Sequence, residues 1–593
     1  MIVESSKLRD VSRRLMLLPA LLLCACVATR IPRVEQLPLD EKVGQMFVYA
    51  AHGTFMNEES AGWQQLRRQV VENKVGGVIW FVSNVYETSF LTRKLQAAAR
   101  VPLLVSADLE AGVGMRFTDT TYWPPAMAVA ATGDPSLAEE EGKIAAIEGQ
   151  AIGVNHILAP VADVNIDPDN PVINTRSFGE DPESVGRFVA AFVRGVQSER
   201  VLATAKHFPG HGDTHTDTHR SLPVLGVDRA RLDRVELVPF RAAIGAGVAS
   251  VMTGHLAIPA LDPTPAPVRP SEQAAGENPY TQDPEEITRE GTMPASVSRP
   301  VIDGLLRRDL RFDGLVISDA FDMGGLVAHF DAGEAAVRAV EAGTDLILKS
   351  ADTDAAIAAV ENAVRNGRIS EARIDESVRR ILRAKQRVRT NVGTDDEIFR
   401  GVDSPAHRRV ASEIAARAIT LVREESGVLP LRPDARVVIV SVSDFPETVN
   451  PVGGVERELR KRAKTPPIAF MIDARSCTDE TSAILDAAKE ADVVLLALAV
   501  RASSGAGHMK LPDAARDLVE RLPPNVKIVA VSFGSPYVLR DLPSLRTYLC
   551  AYGTQPVLQN AAVKALYGEH AITGTLPVTI PGLHARGEGL RKE

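Results

Sequence analysis

The segment Ala205-Lys-His-Phe-Pro-Gly-His-Gly-Asp-Thr-His-Thr-Asp-Thr-His219 is the densest run of reactive side chains in the sequence. His207, His211, His215 and His219 recur at intervals of four, with Asp213 and Asp217 between them. On a helix this spacing would stack the imidazoles on one face and suit a metal ion. Pro209, Gly210 and Gly212 oppose that helix, through a missing N–H and excess backbone freedom. The expectation is a loop that holds no metal. Within it, Asp217-Thr-His219 sets a carboxylate beside an imidazole. Such a pair fixes the ring tautomer and stabilises its charged form, which makes the ring a usable proton donor. The second candidate is Gly314-Leu-Val-Ile-Ser-Asp-Ala-Phe-Asp-Met323, an apolar run ending in Asp319. A carboxylate at the C-terminal end of a barrel strand points into the catalytic mouth. In the competing reading, Asp319 or Asp322 merely caps the next helix.

These side chains need a scaffold. From about residue 37 to 390, short apolar runs alternate with amphipathic stretches. The runs include 77–82, 101–106, 157–161, 201–205, 249–253, 315–318 and 345–348. Nearly continuous apolar runs of this length suit parallel strands buried on both faces. Between them lie helical patterns, such as the one after Ser370 with Ile374, Val378, Ile381 and Leu382 on one face. The repeat implies a TIM-like (β/α)8 barrel over residues 26–390, with an open doubly wound sheet as the alternative. Residues 261–293, rich in proline and polar side chains, break the repeat and read as a surface insertion. Residues 391–410 read as a linker. Runs at 437–441, 493–498, 527–532 and 548–551, separated by helical segments at 482–490 and 513–521, predict a smaller α/β/α sandwich over 411–593. It has no glycine-rich phosphate cradle at a strand–helix junction, so no nucleotide is expected.

Composition narrows the class. The chain has 593 residues, 45% hydrophobic and 24% charged, with a net charge of −9. These are globular values, and a mildly acidic chain lacks the basic face that nucleic-acid binding requires. Four cysteines, Cys24, Cys26, Cys477 and Cys550, show neither zinc spacing nor a disulfide framework. At the N-terminus, Lys7, Arg9, Arg13 and Arg14 precede a short apolar run from Leu15 to Cys26. That run is too short to span a bilayer and has the build of an export signal over residues 1–25. Leu23-Cys24-Ala25-Cys26 further resembles a bacterial lipobox, with Cys26 as lipid acceptor. The expectation is an exported protein, anchored to the cell envelope by lipid alone.

The longer motifs, taken in order, resemble glycoside hydrolase family 3, and within it the bacterial β-N-acetylglucosaminidases. Leu305-Leu-Arg-Arg-Asp-Leu-Arg-Phe-Asp-Gly-Leu-Val-Ile-Ser-Asp319 is similar to the family signature around its nucleophile. Lys206 to His219 resembles the loop that marks the N-acetylglucosaminidase branch. Leu39–Phe47, Asp108–Gly112, Ala159–Asn165, Arg176–Pro182 and the ending Ile572–Gly582 fit as well. The resemblance implies a retaining two-step hydrolysis of terminal β-linked N-acetylglucosamine from muropeptides or chitooligosaccharides, without cofactor or metal. Asp319 would form a covalent glycosyl-enzyme, and His219, oriented by Asp217, would act as acid and then base. Most retaining enzymes use two carboxylates about 5–5.5 Å apart, so a His–Asp dyad varies that plan. After giving up its proton a carboxylic acid is anionic, whereas imidazole is neutral and repels a phosphate acceptor less. A phosphorylase or β-glucosidase of the same family is therefore the nearest alternative. A non-enzymatic glycan-binding lipoprotein has no need of Asp319, Asp217 and His219 together.

The same resemblance assigns Asp108, Arg176, Lys206 and His207 to the sugar hydroxyls, with Arg116 beside them and Met323 near the ring or acetamido group. Against this, Arg176 could simply pair with Asp181, and Lys206 could support a loop carboxylate. One departure is plain. Where the family often has Asp-Gln-Glu-Gly-Gly-Arg, this chain has Asp108-Leu-Glu-Ala-Gly-Val113 and so lacks the motif's arginine.

Overall fold

A computed structural model describes residues 31–280, 291–503, 505–507 and 509–593. The export segment 1–25, the acceptor Cys26 and part of the 261–293 insertion lie outside the described residues.

Eight parallel strands close into a barrel: β1 (Phe47–Gly53), β2 (Gly77–Ser83), β3 (Leu104–Ala107), β4 (His156–Ile157), β5 (Leu202–Phe208), β6 (Ser250–Thr253), β7 (Leu315–Ala320) and β8 (Leu346–Leu348). Closure is made by β1 on β8, where Phe47 pairs Ile347. The open-sheet alternative is thereby excluded. The strands are apolar because helices cover the barrel outside while side chains fill it inside. Val78, Leu104, Val251, Val316 and Ile347 are all fully buried. The outer helices show the anticipated stripe. The helix Glu371–Arg387 buries Ile374, Val378, Ile381 and Leu382, and the Ser370 hydroxyl caps its start by accepting from the Arg373 N–H.

The second domain is a six-stranded sheet. Its strands are β9 (Thr420–Arg423), β10 (Val437–Ser443), β11 (Ile468–Ile472), β12 (Val493–Ala499), β13 (Lys527–Ser532) and β14 (Thr547–Cys550). The order is β11-β10-β12-β13-β14-β9, parallel throughout except that β9 runs antiparallel to β14. Three of the flanking helices, Pro405–Ala418, Gly453–Arg460 and Pro556–Leu566, pack together as one layer. β1, β9 and β11 escape the apolar-run reading. β11, an edge strand, leaves Ile468 exposed, and β9 is only four residues long.

Residues 391–410, read as a linker, carry the helix Asp395–Gly401 and the start of Pro405–Ala418. The described part of the insertion holds the helix Ser271–Glu277, whose Ala274 and Ala275 are buried with Ala328. The two domains are tied by hydrogen bonds across the barrel mouth. Asn165 Nδ2 donates to the Tyr537 hydroxyl at 2.9 Å, and Glu180 accepts from the Thr579 N–H and hydroxyl at 2.8 and 2.6 Å. No helix among the described residues is long and apolar enough to cross a membrane.

Candidate active site

A cavity of roughly 510 Å³ sits at the C-terminal mouth of the barrel. Asp108, Arg116, Arg176, Lys206, His207, His219, Asp319 and Met323 all line it. Asp217 stands behind His219 with its side chain fully buried. The sequence-derived set is thus brought together from segments more than 200 residues apart.

Asp319 occupies the last turn of the pleat in β7, and its Oδ1 accepts the Ala320 N–H at 2.8 Å. Neither Asp319 nor Asp322 caps a helix. The short helix Gly324–Val327 has Met323 at its N-cap and no side-chain cap bond. Asp322 instead pairs with Lys349 Nζ at 2.7 Å. Burial alone would push the Asp319 carboxyl up, but His207, the other imidazoles facing it and the Ala320 N–H together hold it below its ordinary value. It is a carboxylate at neutral pH.

The histidine segment is a loop after β5, and its imidazoles part company. His207 Nδ1–H donates to Asp163 Oδ2 at 2.7 Å. His211 lies between the hydroxyls of Thr214 and Thr218, and burial pushes its pKa down to about 4, so it carries no exchangeable charge near neutral pH. His215 faces solvent beside Asp167. Among the described residues, no group of three or more His, Cys, Asp or Glu converges as a metal site would require. His219, like His207, combines a carboxylate partner with a face on the cavity. Its Nδ1 lies 2.7 Å from Asp217 Oδ1, which also accepts the His219 N–H at 2.9 Å. With Nδ1–H committed to the carboxylate, Nε2 is the free nitrogen. Asp217 Oδ2 accepts the N–H of Gly505, from the second domain, at 2.7 Å. Burial would raise the Asp217 carboxyl, but these donors keep it below its ordinary value.

Backbone bonds stitch together the two loops that carry Asp319 and His219. The Gly324 N–H donates to the His219 carbonyl and the Gly325 N–H to the Thr218 carbonyl, both at 3.0 Å. A side chain at Gly324 would collide with the Arg220 carbonyl. Glycine here allows the turn after Asp319 to approach the turn that carries His219.

Opposite lies a buried ionic cluster. Glu110 accepts both Nε and Nη2 of Arg176 at 2.8 Å and pairs with Lys206 Nζ at 2.6 Å. Asp108 accepts from Lys206 and from Arg116 at 2.8 and 2.7 Å. Burial opposes the charge on Asp108, yet Lys206 and Arg116 hold its pKa down to about 2, and Glu110 is lowered well below its ordinary value by Arg176 and Lys206. The same partners outweigh burial to raise Lys206. Fixed donors and acceptors of this kind match sugar hydroxyls, which need both. Arg176 is not paired with Asp181. That carboxylate caps the helix Pro182–Ser198 and pairs with Arg586. Lys206 does support loop carboxylates, as well as facing the cavity. The missing motif arginine has a counterpart: Val113 is buried, and Arg116 brings a guanidinium to Asp108 from three residues further on.

Four contributors escaped sequence reasoning. Glu110 and Asp163 lay inside motifs already singled out, and asking which carboxylates neutralise buried Lys206 and His207 would have pointed to them. His255 follows β6. Its Nε2–H donates to the Ala320 carbonyl at 2.9 Å and its Nδ1 accepts from Ser296, and burial keeps it neutral, so it props the backbone beside Asp319. Tyr280, from the insertion, left no signal in a stretch without period.

Residues 38–384 match the model of the glycosyl hydrolase family 3 N terminal domain, and residues 419–587 match that of its C-terminal domain. A beta-N-acetylglucosaminidase/beta-glucosidase of Cellulomonas fimi is 31% identical over 91% of this chain and 93% of its own length. Beta-hexosaminidase A of Pseudoalteromonas piscicida is 32% identical over 64% of each chain. Among solved structures, a family 3 beta-N-acetylglucosaminidase from Paenibacillus sp. str. FPU-7 superposes with a TM-score of 0.78 at 33% identity, over 92% of this chain and 99% of that one. The beta-glucoside phosphorylase BglX bound to 2FGlc gives 0.79 at 28% identity, over 92% and 95%. With a barrel carrying a carboxylate and a His–Asp dyad at one mouth, a second domain closing on that mouth, and both domain models matched in order, the chain belongs to glycosyl hydrolase family 3 as a glycoside hydrolase.

Proposed function

We propose that the protein removes terminal β-linked N-acetylglucosamine from muropeptides or chitooligosaccharides, with retention, through a glycosyl–Asp319 intermediate. One observation carries the reading: Asp319 and the Asp217-backed His219 open into the same cavity from two loops joined by backbone bonds. The relatives named for N-acetylglucosaminidase and hexosaminidase activity support the choice of sugar. In the first step the Asp319 carboxylate attacks the anomeric carbon while His219 Nε2–H protonates the departing oxygen. Asp217 keeps the ring facing that oxygen. In the second step the neutral imidazole takes a proton from water as it attacks the same carbon, and the Asp319 carboxylate leaves. Asp108, Glu110, Arg176 and Lys206 hold the hydroxyls, so that binding energy from the sugar orients the reacting carbon. The deciding assay is turnover of 4-nitrophenyl β-N-acetylglucosaminide against the matching glucoside. A preference for the glucoside would overturn the choice of sugar.

Phosphorolysis is a second reading with its own support. A neutral imidazole admits an anionic acceptor that a carboxylate would repel, and the beta-glucoside phosphorylase BglX shares the fold over most of both chains. Phosphate-dependent release of a sugar 1-phosphate would select it over hydrolysis. An export signal and a lipid on Cys26 would place either activity in the cell envelope.

A further inference from the structure

We propose that Tyr280, carried by the 261–293 insertion, is the positioning residue for the acid/base His219. This rests on His219 being the acid/base, as proposed above. The Tyr280 ring lies edge-on against the His219 imidazole, with centroids 4.5 Å apart and planes at 73°. It lines the same cavity as Asp319 and His219. One Nδ1–H bond to Asp217 leaves an imidazole free to swing about that bond. An aromatic ring packed against it removes the swing and shields the nitrogen from bulk water.

Tyr280 is itself held from three sides. Lys349, which follows β8, places its Nζ over the Tyr280 ring, 5.6 Å from the centroid, while pairing with Asp322 at 2.7 Å. The Tyr280 N–H donates to the buried Asn278 side chain at 2.9 Å. From the second domain, Gly505 packs on the ring so closely that a Cβ there would lie 2.8 Å from Tyr280 Cδ1, and Gly505 has φ +80°, a conformation that favours glycine. The N–H of this same Gly505 donates to Asp217. Arg220, next to His219, donates to the Gly505 and Ala506 carbonyls at 3.4 and 3.2 Å. The insertion and the sandwich loop therefore meet on the dyad. Tyr280 fixes the imidazole and Gly505 fixes its carboxylate.

The test compares leaving groups in the full-length enzyme. Chitobiose needs a proton from His219, whereas 2,4-dinitrophenyl β-N-acetylglucosaminide, with its good leaving group, does not. Misplacing a catalytic group by about 1 Å costs on the order of 100-fold. Tyr280→Ala should lower kcat/KM on chitobiose by roughly 10- to 100-fold through kcat, and leave kcat/KM on the dinitrophenyl glycoside, which reports the first step alone, within about 3-fold. Tyr280→Phe keeps the ring and should restore chitobiose turnover to within about 3-fold of the parent. Should the alanine variant not fold, Tyr280→Leu, which keeps apolar bulk but not the flat ring, should reproduce the leaving-group dependence in weaker form. Equal loss of kcat/KM on both substrates, a loss on chitobiose confined to KM, or no rescue by phenylalanine would overturn the assignment. The comparison is made within one sugar. An enzyme that prefers glucosides would fail the substrate reading above, and the same pair of leaving groups on glucose would still test Tyr280.

Discussion

Asp217→Asn is the sharpest perturbation of the proposed mechanism, because asparagine cannot satisfy what the aspartate satisfies. Asp217 is fully buried and accepts three N–H groups: two from His219 on one oxygen and one from Gly505 on the other. An asparagine amide offers one acceptor oxygen and one donor nitrogen. With its oxygen toward His219, its NH2 meets the Gly505 N–H. Flipped, its NH2 meets both the His219 backbone N–H and Nδ1. The second orientation forces Nδ1 to accept, which moves the proton to Nε2 permanently and spoils the later base step. Either way a buried donor goes unpaired, at about 1–3 kcal/mol. Acid/base assistance contributes about 10²–10⁴ in rate, so kcat on chitobiose should fall by roughly 1,000-fold, equivalent to about 4 kcal/mol. The dinitrophenyl glycoside should lose far less in its first step, and a burst of dinitrophenol should then expose slow hydrolysis of the glycosyl-enzyme. Stopped-flow absorbance reads the burst and a thermal melt reads the stability cost. If chitobiose turnover stayed within about 5-fold of the parent, the dyad would not be the acid/base and the reasoning would fail.

Other expectations follow from the same geometry. Asp319→Asn should abolish turnover while leaving the melting temperature nearly unchanged. Because the Asp319 carboxyl sits below its ordinary value of 3.8, the acidic limb of kcat/KM assigned to it should lie below pH 4 in a pH–rate profile. Glu110→Gln strands Arg176 in a buried site, leaves Lys206 with Asp108 alone, and should cost about 3–5 kcal/mol in denaturant unfolding. Since Glu110 is depressed in the folded protein, the parent's share of that stability is present above the unfolded value. It is lost only as pH falls through the folded one, so the gap between parent and variant should close on acidification. Apart from that geometry, the proposed lipid on Cys26 predicts that Cys26→Ala moves the protein from the membrane fraction to the soluble fraction without changing its specific activity, checked by fractionation and labelling with a fatty-acid probe.

The apolar runs at 77–82, 315–318 and 493–498 identified their strands because parallel strands buried on both faces have no polar side to conceal the signal. Asp217-Thr-His219 announced its pairing through proximity along the chain, and the position of Asp319 at the end of an apolar run announced its place at the barrel mouth. These are local properties, written in composition and spacing. What joins residues far apart in sequence is not. Glu110 meets Lys206 and Arg176, and Gly505 reaches Asp217 across 288 positions. Tyr280, from a stretch with no period at all, packs against His219. Periodicity reports which face of an element is buried but carries nothing about which distant side chain shares its cavity. That choice is made when the barrel closes and the second domain settles over its mouth, where charge neutralisation and close packing, each between residues remote in sequence, select the partners.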